Sequence, residues 1–308
     1  SHPRNQITGT ADIDYDSIST DPCERGKSWN QIIDLTRGGR TPKPDPAEQF
    51  GLLGLEWGAF ADSLEDNHID VRGVDSALQF LQDYFRRPSD FCDKPFFMAL
   101  GLTKPHHPLF FPERLTPEFY NTNISQFPYE LPYNAPFNLD PPNGVVMPPQ
   151  PPAGNWTDYD SLPYIGKIMA TDYGGYLHDQ FVFYGNNLSP LPGIAPGLDS
   201  AQRRDAAMEA HRANSILAYL AMVRFMDDQV GRLITTLEGR PEVYHNTVIV
   251  LVSDHGFSLG EKKHWKKVAL WESALRVPMI IADPRRTSAR ECSKPVSLVD
   301  LFPTIDRK

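Results

Sequence analysis

Apolar residues in this chain fall into two kinds of stretch. Lys94–Gly101 (KPFFMALG), Thr247–Ser253 (TVIVLVS) and Val277–Ala282 (VPMIIA) are short and almost continuously apolar. Runs of that length, rich in β-branched and aliphatic side chains, predict strands buried on both faces of one mostly parallel sheet. Two other stretches repeat their apolar positions every three or four residues. Val71 to Arg87 places Val74, Ala77, Leu78, Leu81 and Phe85 on one face, with Asp75 towards its start and Arg86-Arg87 at its end. Residues 201–238 do the same with Ile216, Leu220, Val223, Met226, Val230, Leu233 and Leu237, and Arg240-Pro241 closes the pattern. Both predict amphipathic helices packed on the sheet. Strands alternating with helices define an α/β class with a central sheet flanked by helices.

The polar residues with chemical potential gather where the predicted strands stop. Thr247–Val252 runs into Ser253-Asp254-His255-Gly256, and Lys262, Lys263, His264, Lys266 and Lys267 follow before the chain re-enters an apolar run. Lys94–Gly101 runs into Leu102-Thr103-Lys104-Pro105-His106-His107-Pro108. Open α/β sheets bind their ligands at the carboxyl ends of their strands. A carboxylate beside an imidazole suits a metal ion, and clustered lysines suit an anion. The prolines around Lys104 restrict the backbone on both sides of it, as a site that holds its side chains ready requires. Taken singly, Asp-His-Gly is also an ordinary turn and the lysines an ordinary solvated loop.

Length and composition narrow the picture. The chain has 308 residues, enough for one large α/β domain covering residues 1–308. Its formal net charge of -9 argues against a broadly basic nucleic-acid surface, so an anionic substrate needs a local basic cluster. No apolar run approaches the roughly 20 residues that span a bilayer. Cys23, Cys92 and Cys292 are widely spaced and form no C-x-x-C, so they are expected to be isolated thiols. Residues 5–60 are polar and turn-rich. From Pro112 to Pro152 there are eleven prolines interleaved with Phe, Tyr and Asn, which predicts an ordered irregular wall and not a linker.

The order of these motifs resembles the sulfatase family of the alkaline-phosphatase superfamily, most closely its iduronate-2-sulfatase-like and choline-sulfatase-like branch. The pieces that carry the resemblance are Ser253-Asp254-His255-Gly256, Leu259-Gly260-Glu261, Trp265-Lys266-Lys267 and Val277-Pro278. Lys104-Pro105-His106-His107-Pro108 matches the family's K-P-H-x-P, and His2-Pro3 the end of its G-K-x-x-H. Tyr219, Val223, Asp227, Val230, Gly231, Arg232 and Leu233 match its scaffold helix, and Val296 to Ile305 a helix nearer its end. The resemblance implies an alkaline-phosphatase-like sandwich. It implies that Asp254 and His255 bind one divalent metal, usually Ca2+, that Lys104, His106 and Lys267 grip the sulfate, and that His2 assists the nucleophile.

Two features of the family are absent. Its nucleophile is a Cys or Ser in [CS]-x-P-x-R that matures to formylglycine. Cys23-Glu24-Arg25, Cys292-Ser293-Lys294-Pro295 and Ser1-His2-Pro3-Arg4 each fail that frame. The pair of acidic residues near the family's N-terminus would precede His2. The resemblance therefore implies an incomplete catalytic domain, without its nucleophile segment and C-terminal subdomain and inactive as it stands. The expected substrate is a sulfated sugar or small sulfate ester, in an extracytoplasmic compartment. Two alternatives remain. A zinc phosphodiesterase or phosphatase of the same superfamily is one, since His is an awkward ligand for calcium. A non-catalytic carbohydrate-binding pseudoenzyme is the other.

Overall fold

The computed structural model describes residues 42–44, 50–52, 55–92, 94–116, 163–164, 200–260, 265–267, 269–286 and 288–306. The chain divides into two compact units. One comprises Ser1–Pro149 with Asp179–Thr236, the other Gln150–His178 with Leu237–Lys308.

The first unit is built on a three-stranded sheet. Strand β1 (Phe50–Leu52) pairs antiparallel with β2 (Leu55–Phe60), and β2 pairs parallel with β3 (Leu109–Pro112), Trp57 opposite Leu109 and Phe60 opposite Pro112. A parallel neighbour requires a crossover. It is supplied by helix α1 (Ile69–Arg86) and the extended segment after it. Trp57, Ala59, Phe60, Leu109, Phe110 and Phe111 form the sheet's part of the core, and Val71, Val74, Ala77 and Leu81 are the buried stripe of α1. The helix begins on His68, whose Nδ1 accepts the Asp70 N–H, and ends with Arg86 in its last turn, where a cation complements the dipole.

Helix α2 (Ser200–Glu238) matches the helix expected over residues 201–238, but buries only part of the expected face. Ile216 and Leu237 are buried as expected, whereas Leu220, Val223, Met226, Val230 and Leu233 are only half-buried and Ala218, Ala221, Met222, Phe225 and Gln229 are buried instead. Polar partners fix the rotation. Arg232 bonds Gln229 at 2.8 Å and also Asp75 of α1. The Phe225 ring meets the His68 ring edge-on at 4.7 Å. Arg114 donates to both oxygens of Glu65 and to Asp228 at 2.8–2.9 Å.

Lys94–Gly101 is not a strand. It is extended, and exposure alternates along it, Phe97 outward and Phe96 inward against Phe80 and Tyr84, but it joins no described ladder. The Tyr84 hydroxyl donates to the Lys94 carbonyl at 2.9 Å, taking a backbone group that a sheet neighbour would use. Cys92 is disulfide-bonded and Cys292 is free and exposed, so the reading of isolated thiols fails at Cys92. The third cysteine, Cys23, lies outside the described residues, as do most of residues 112–152.

In the second unit β4 (Ile249–Val252) pairs with β7 (Met279–Ala282), antiparallel and not parallel as expected, with Val252 opposite Met279. The reason lies between them. Among the described residues, 253–278 hold the hairpin of β5 (Ser258–Leu259) with β6 (Trp265–Lys266), and a single turn, α4 (Glu272–Leu275). That is no crossover, so the chain returns beside the point it left. The pair is also more exposed than a doubly covered strand, with Leu251 at 36%, Ile281 at 43% and Ile280 at 57%. The unit's other described helices are α3 (Pro241–Tyr244), just before β4, and α5 (Leu301–Asp306). Strands and helices alternate as an α/β chain should, while three of the four described strand pairings are antiparallel.

Candidate active site

The predicted site residues fall in both units, and each half is built separately. In the first, the turn Thr103–Pro108 links the extended segment to β3. Its anchor is Asp70, buried in the first turn of α1. One carboxylate oxygen accepts from the Thr103 N–H at 2.8 Å and the Thr103 hydroxyl at 2.7 Å; the other accepts from the Lys104 N–H at 2.9 Å. The Lys104 side chain turns inward, 6% exposed, and Nζ donates to the carbonyls of His106 (3.2 Å) and Pro108 (2.6 Å). An ammonium has three donors, so one remains beyond those two bonds. The Lys104-Pro105 and His107-Pro108 peptides are cis. The His106 and His107 rings stack at 4.3 Å, and His106 Nδ1 donates to the His107 carbonyl at 2.6 Å.

Burial dominates the electrostatics here. It pushes the Lys104 amine down to about 8, partly opposed by Asp70, whose carboxylate favours the charged form. His68, 0% exposed, is pushed down to about 4, again by burial first, with Asp70 opposing and Lys104 adding to the shift. His68 is therefore neutral near pH 7. Its Nδ1 accepts from Asp70, so Nε2 carries the proton, and that atom has no hydrogen-bond partner among the described residues.

In the second unit Ser253–Pro278 is a closed excursion. It leaves β4 and re-enters β7 at neighbouring rungs, and the Ser253 N–H donates across the gap to the Pro278 carbonyl at 3.3 Å. Its first turn carries Asp254 and His255. The Ser253 hydroxyl donates to the His255 carbonyl at 2.7 Å, and the His255 N–H to Asp254 Oδ1 at 3.0 Å. His255 Nδ1 lies 2.8 Å from the Gly256 carbonyl, which only accepts, so Nδ1 bears the proton and Nε2 keeps its lone pair. That Nε2 lies 3.5 Å from Asp254 Oδ2.

Gly256 is required by close approach. A Cβ there would sit 2.0 Å from the Ser273 carbonyl oxygen, because the Gly256 N–H donates to Ala274 at 2.8 Å. Ser258, fully buried, pairs its hydroxyl with Ser273 at 2.8 Å. The β5–β6 hairpin opens at Gly260, φ 92, and ends at Lys266, φ 69. Lys266 is buried at 7% and Lys267, the lysine expected to meet the sulfate, is half-buried beside it.

Asp254 and His255 fit part of a metal site. One carboxylate oxygen and one imidazole nitrogen 3.5 Å apart can share an ion at about 2.0–2.5 Å from each. The proton on the ring's other nitrogen is held by a carbonyl, the usual outer partner of a ligating histidine. Among the described residues no group of three or more His, Cys, Asp or Glu forms a fuller cage. His2 and residues 261–264 lie outside the described residues. Sequence reasoning missed Asp70, Thr103 and His68. The local signal was a cap-like residue and an acid opening an apolar helix, which says nothing of a turn more than thirty positions on.

Residues 6–306 match the sulfatase family. A sulfatase of Formosa agariphila is 29% identical over 259 residues, which is 83% of this chain and 39% of that protein. Human iduronate 2-sulfatase is 27% identical over 77% of this chain and 34% of its own length. N-acetylglucosamine-6-O-sulfatase of Bacteroides thetaiotaomicron is 41% identical over 87 residues, 28% of this chain and 15% of its own length. The chain thus spans between about a third and two fifths of the first two relatives, which match it over most of its own length. A family match across nearly the whole chain, together with Asp254 and His255 opening one closed excursion, places it: the chain belongs to the sulfatase family.

Proposed function

We propose that the protein carrying this chain hydrolyses a sulfuric ester, with an alkaline-phosphatase-like catalytic domain. The observation that carries this reading is the Ser253–Pro278 excursion, which sets the Asp254 carboxylate beside a His255 nitrogen whose tautomer suits metal binding. A divalent ion held there, with calcium the family's usual choice, would neutralise charge on the sulfate oxygens. Lys104, with one donor beyond its two carbonyl bonds, and Lys267 would bind the sulfate oxygens. His106 would serve the same group, and His2 would assist a formylglycine nucleophile supplied ahead of it. The substrate is a sulfated sugar or a small sulfate ester, the class named in the human and Bacteroides relatives. An extracytoplasmic location is supported by the Cys92 disulfide, since disulfides persist in oxidising compartments. No described helix is long and apolar enough to cross a membrane.

His255 favours one second reading. A nitrogen ligand suits zinc better than calcium, and a zinc site of this superfamily would cleave phosphate esters. The test uses the full-length protein matured to formylglycine, assayed on an aryl sulfate and on an aryl phosphodiester. Asp254→Ala is expected to abolish sulfate release. Equal turnover by wild type and Asp254→Ala would refute the metal role, and phosphodiester cleavage far above sulfate release would move the protein to the second reading.

A further inference from the structure

We propose that Asp70 is the positioning residue of the sulfate-binding turn. Its buried carboxylate accepts three hydrogen bonds from Thr103 and Lys104 and fixes the course of Lys104–Pro108. This deepens the sulfatase reading and rests on it for the identity of the anion.

The geometry separates the two tasks. The Thr103 and Lys104 N–H groups are adjacent backbone donors, and one carboxylate takes both, so the turn cannot rotate without leaving Asp70 with unmatched charge in a buried site. The turn in turn aims Lys104 Nζ at the carbonyls of His106 and Pro108. Asp70 itself cannot drift. It sits in the first turn of α1, where the helix dipole favours a carboxylate, and its own N–H is held by His68.

His68 is wedged between aromatic rings, stacked on Phe60 at 6.2 Å and edge-on to Phe225 at 4.7 Å. Rigid packing thus passes from α2 to His68, to Asp70, to the Lys104 turn. The charges that face Lys104 are Asp70 and the neutral His68, with His106 and His107 on its own turn; Asp70 is the one anion identified among these groups. A buried ammonium depends on an anionic neighbour to stay charged. Asp70 does not reach the anion; it acts through Lys104.

The test uses the full-length protein and the variants Asp70→Asn and Thr103→Val. Asparagine keeps one oxygen for Thr103 but turns an NH2 toward the Lys104 N–H and removes the negative charge. Two readouts are taken: kcat and KM on an aryl sulfate across pH 6–10, and the midpoint of Lys104 followed by NMR of 13Cε-labelled lysine. Asp70→Asn is expected to lower kcat about 10²-fold, as displacement of a binding group does. It is also expected to move the Lys104 midpoint, and the alkaline limb of kcat with it, down by about one unit. Thr103→Val removes one donor and no charge. It is expected to lower kcat about five-fold with the limb unmoved, and it carries the test if Asp70→Asn does not fold. A Lys104 midpoint and limb unchanged in folded Asp70→Asn, or wild-type kcat in Thr103→Val, would overturn the proposal. If wild type releases no sulfate yet Asp70→Asn still shifts the Lys104 midpoint, the sulfatase reading falls and the Asp70–Lys104 linkage stands.

Discussion

Lys104 should make the protein more stable as pH rises above 8. In the folded state its amine titrates near 8, and in the unfolded chain near 10.5. Between those values the unfolded state binds more protons than the folded one, so stability increases with pH. At about 1.36 kcal/mol per unit of difference, the full 2.5-unit gap is worth about 3 kcal/mol, and the part gained between pH 7 and 9.5 is about 2 kcal/mol. The opposite reading of the sign, that the native ammonium stabilises the fold, would require a raised value, which burial does not give.

The assay is urea unfolding at half-unit steps from pH 7 to 9.5, on wild type and on Lys104→Met, which keeps the length of the side chain and removes its charge. The wild-type curve minus the variant curve should rise by about 2 kcal/mol over that window. Tyr219 does not confuse it. Burial raises the Tyr219 phenol above 10, and a raised acid destabilises only as pH climbs past its unfolded value. A flat difference would refute the depression of the Lys104 amine by burial.

His68 makes a prediction of the same sign on the acid side: its contribution is complete above pH 6.5 and is lost as pH falls towards 4, by about 3 kcal/mol in all. Wild type compared with His68→Asn, which preserves a capping side chain, should isolate that loss between pH 6.5 and 4.5; parallel curves would show His68 to be solvated. Gly256→Ala should cost about 2 kcal/mol or more in chemical denaturation, because the added methyl meets backbone that cannot step aside. Stability and turnover matching wild type in that variant would mean the Ser273–Ala274 backbone lies farther from Gly256.

Much of this was legible because period survives into structure. Of the stripe that spacing gives for α1, Val74, Ala77 and Leu81 are buried, while Leu78 and Phe85 are half-buried. The existence of α2 follows from spacing too, yet only part of its buried face does. Apolar periodicity gave Ile216 and Leu237, which are buried, but also Leu220, Val223 and Met226, which are half-buried; the structure buries Ala218, Ala221, Phe225 and Gln229 in their stead. That choice depends on partners, Asp75 and His68, that lie far off in sequence. Strand pairing failed for a related reason. An apolar run predicts extension, but direction is set by what joins two runs, and Ser253–Pro278 lacks the crossover that a parallel pair needs.

The site divides the same way. Asp254, His255 and Gly256 could be found as a string because their contacts are local: His255 bonds Asp254 and Gly256, its immediate neighbours. Lys104 could be named but its environment could not, since Asp70 and His68 reach it through the tertiary fold. What the environment adds is an energetic argument for function. A lysine at the surface would cost nothing, and a buried methionine would carry no desolvation penalty. The fold instead keeps an amine 6% exposed, spends a buried carboxylate to hold its turn, and leaves one of its three donors beyond the two carbonyl bonds. Strongly perturbed groups of this kind concentrate where a protein binds or transforms a charged partner. An anion placed at that last donor would offset the cost of burial, so sulfate should bind more tightly below pH 8, where the amine is protonated, than above it.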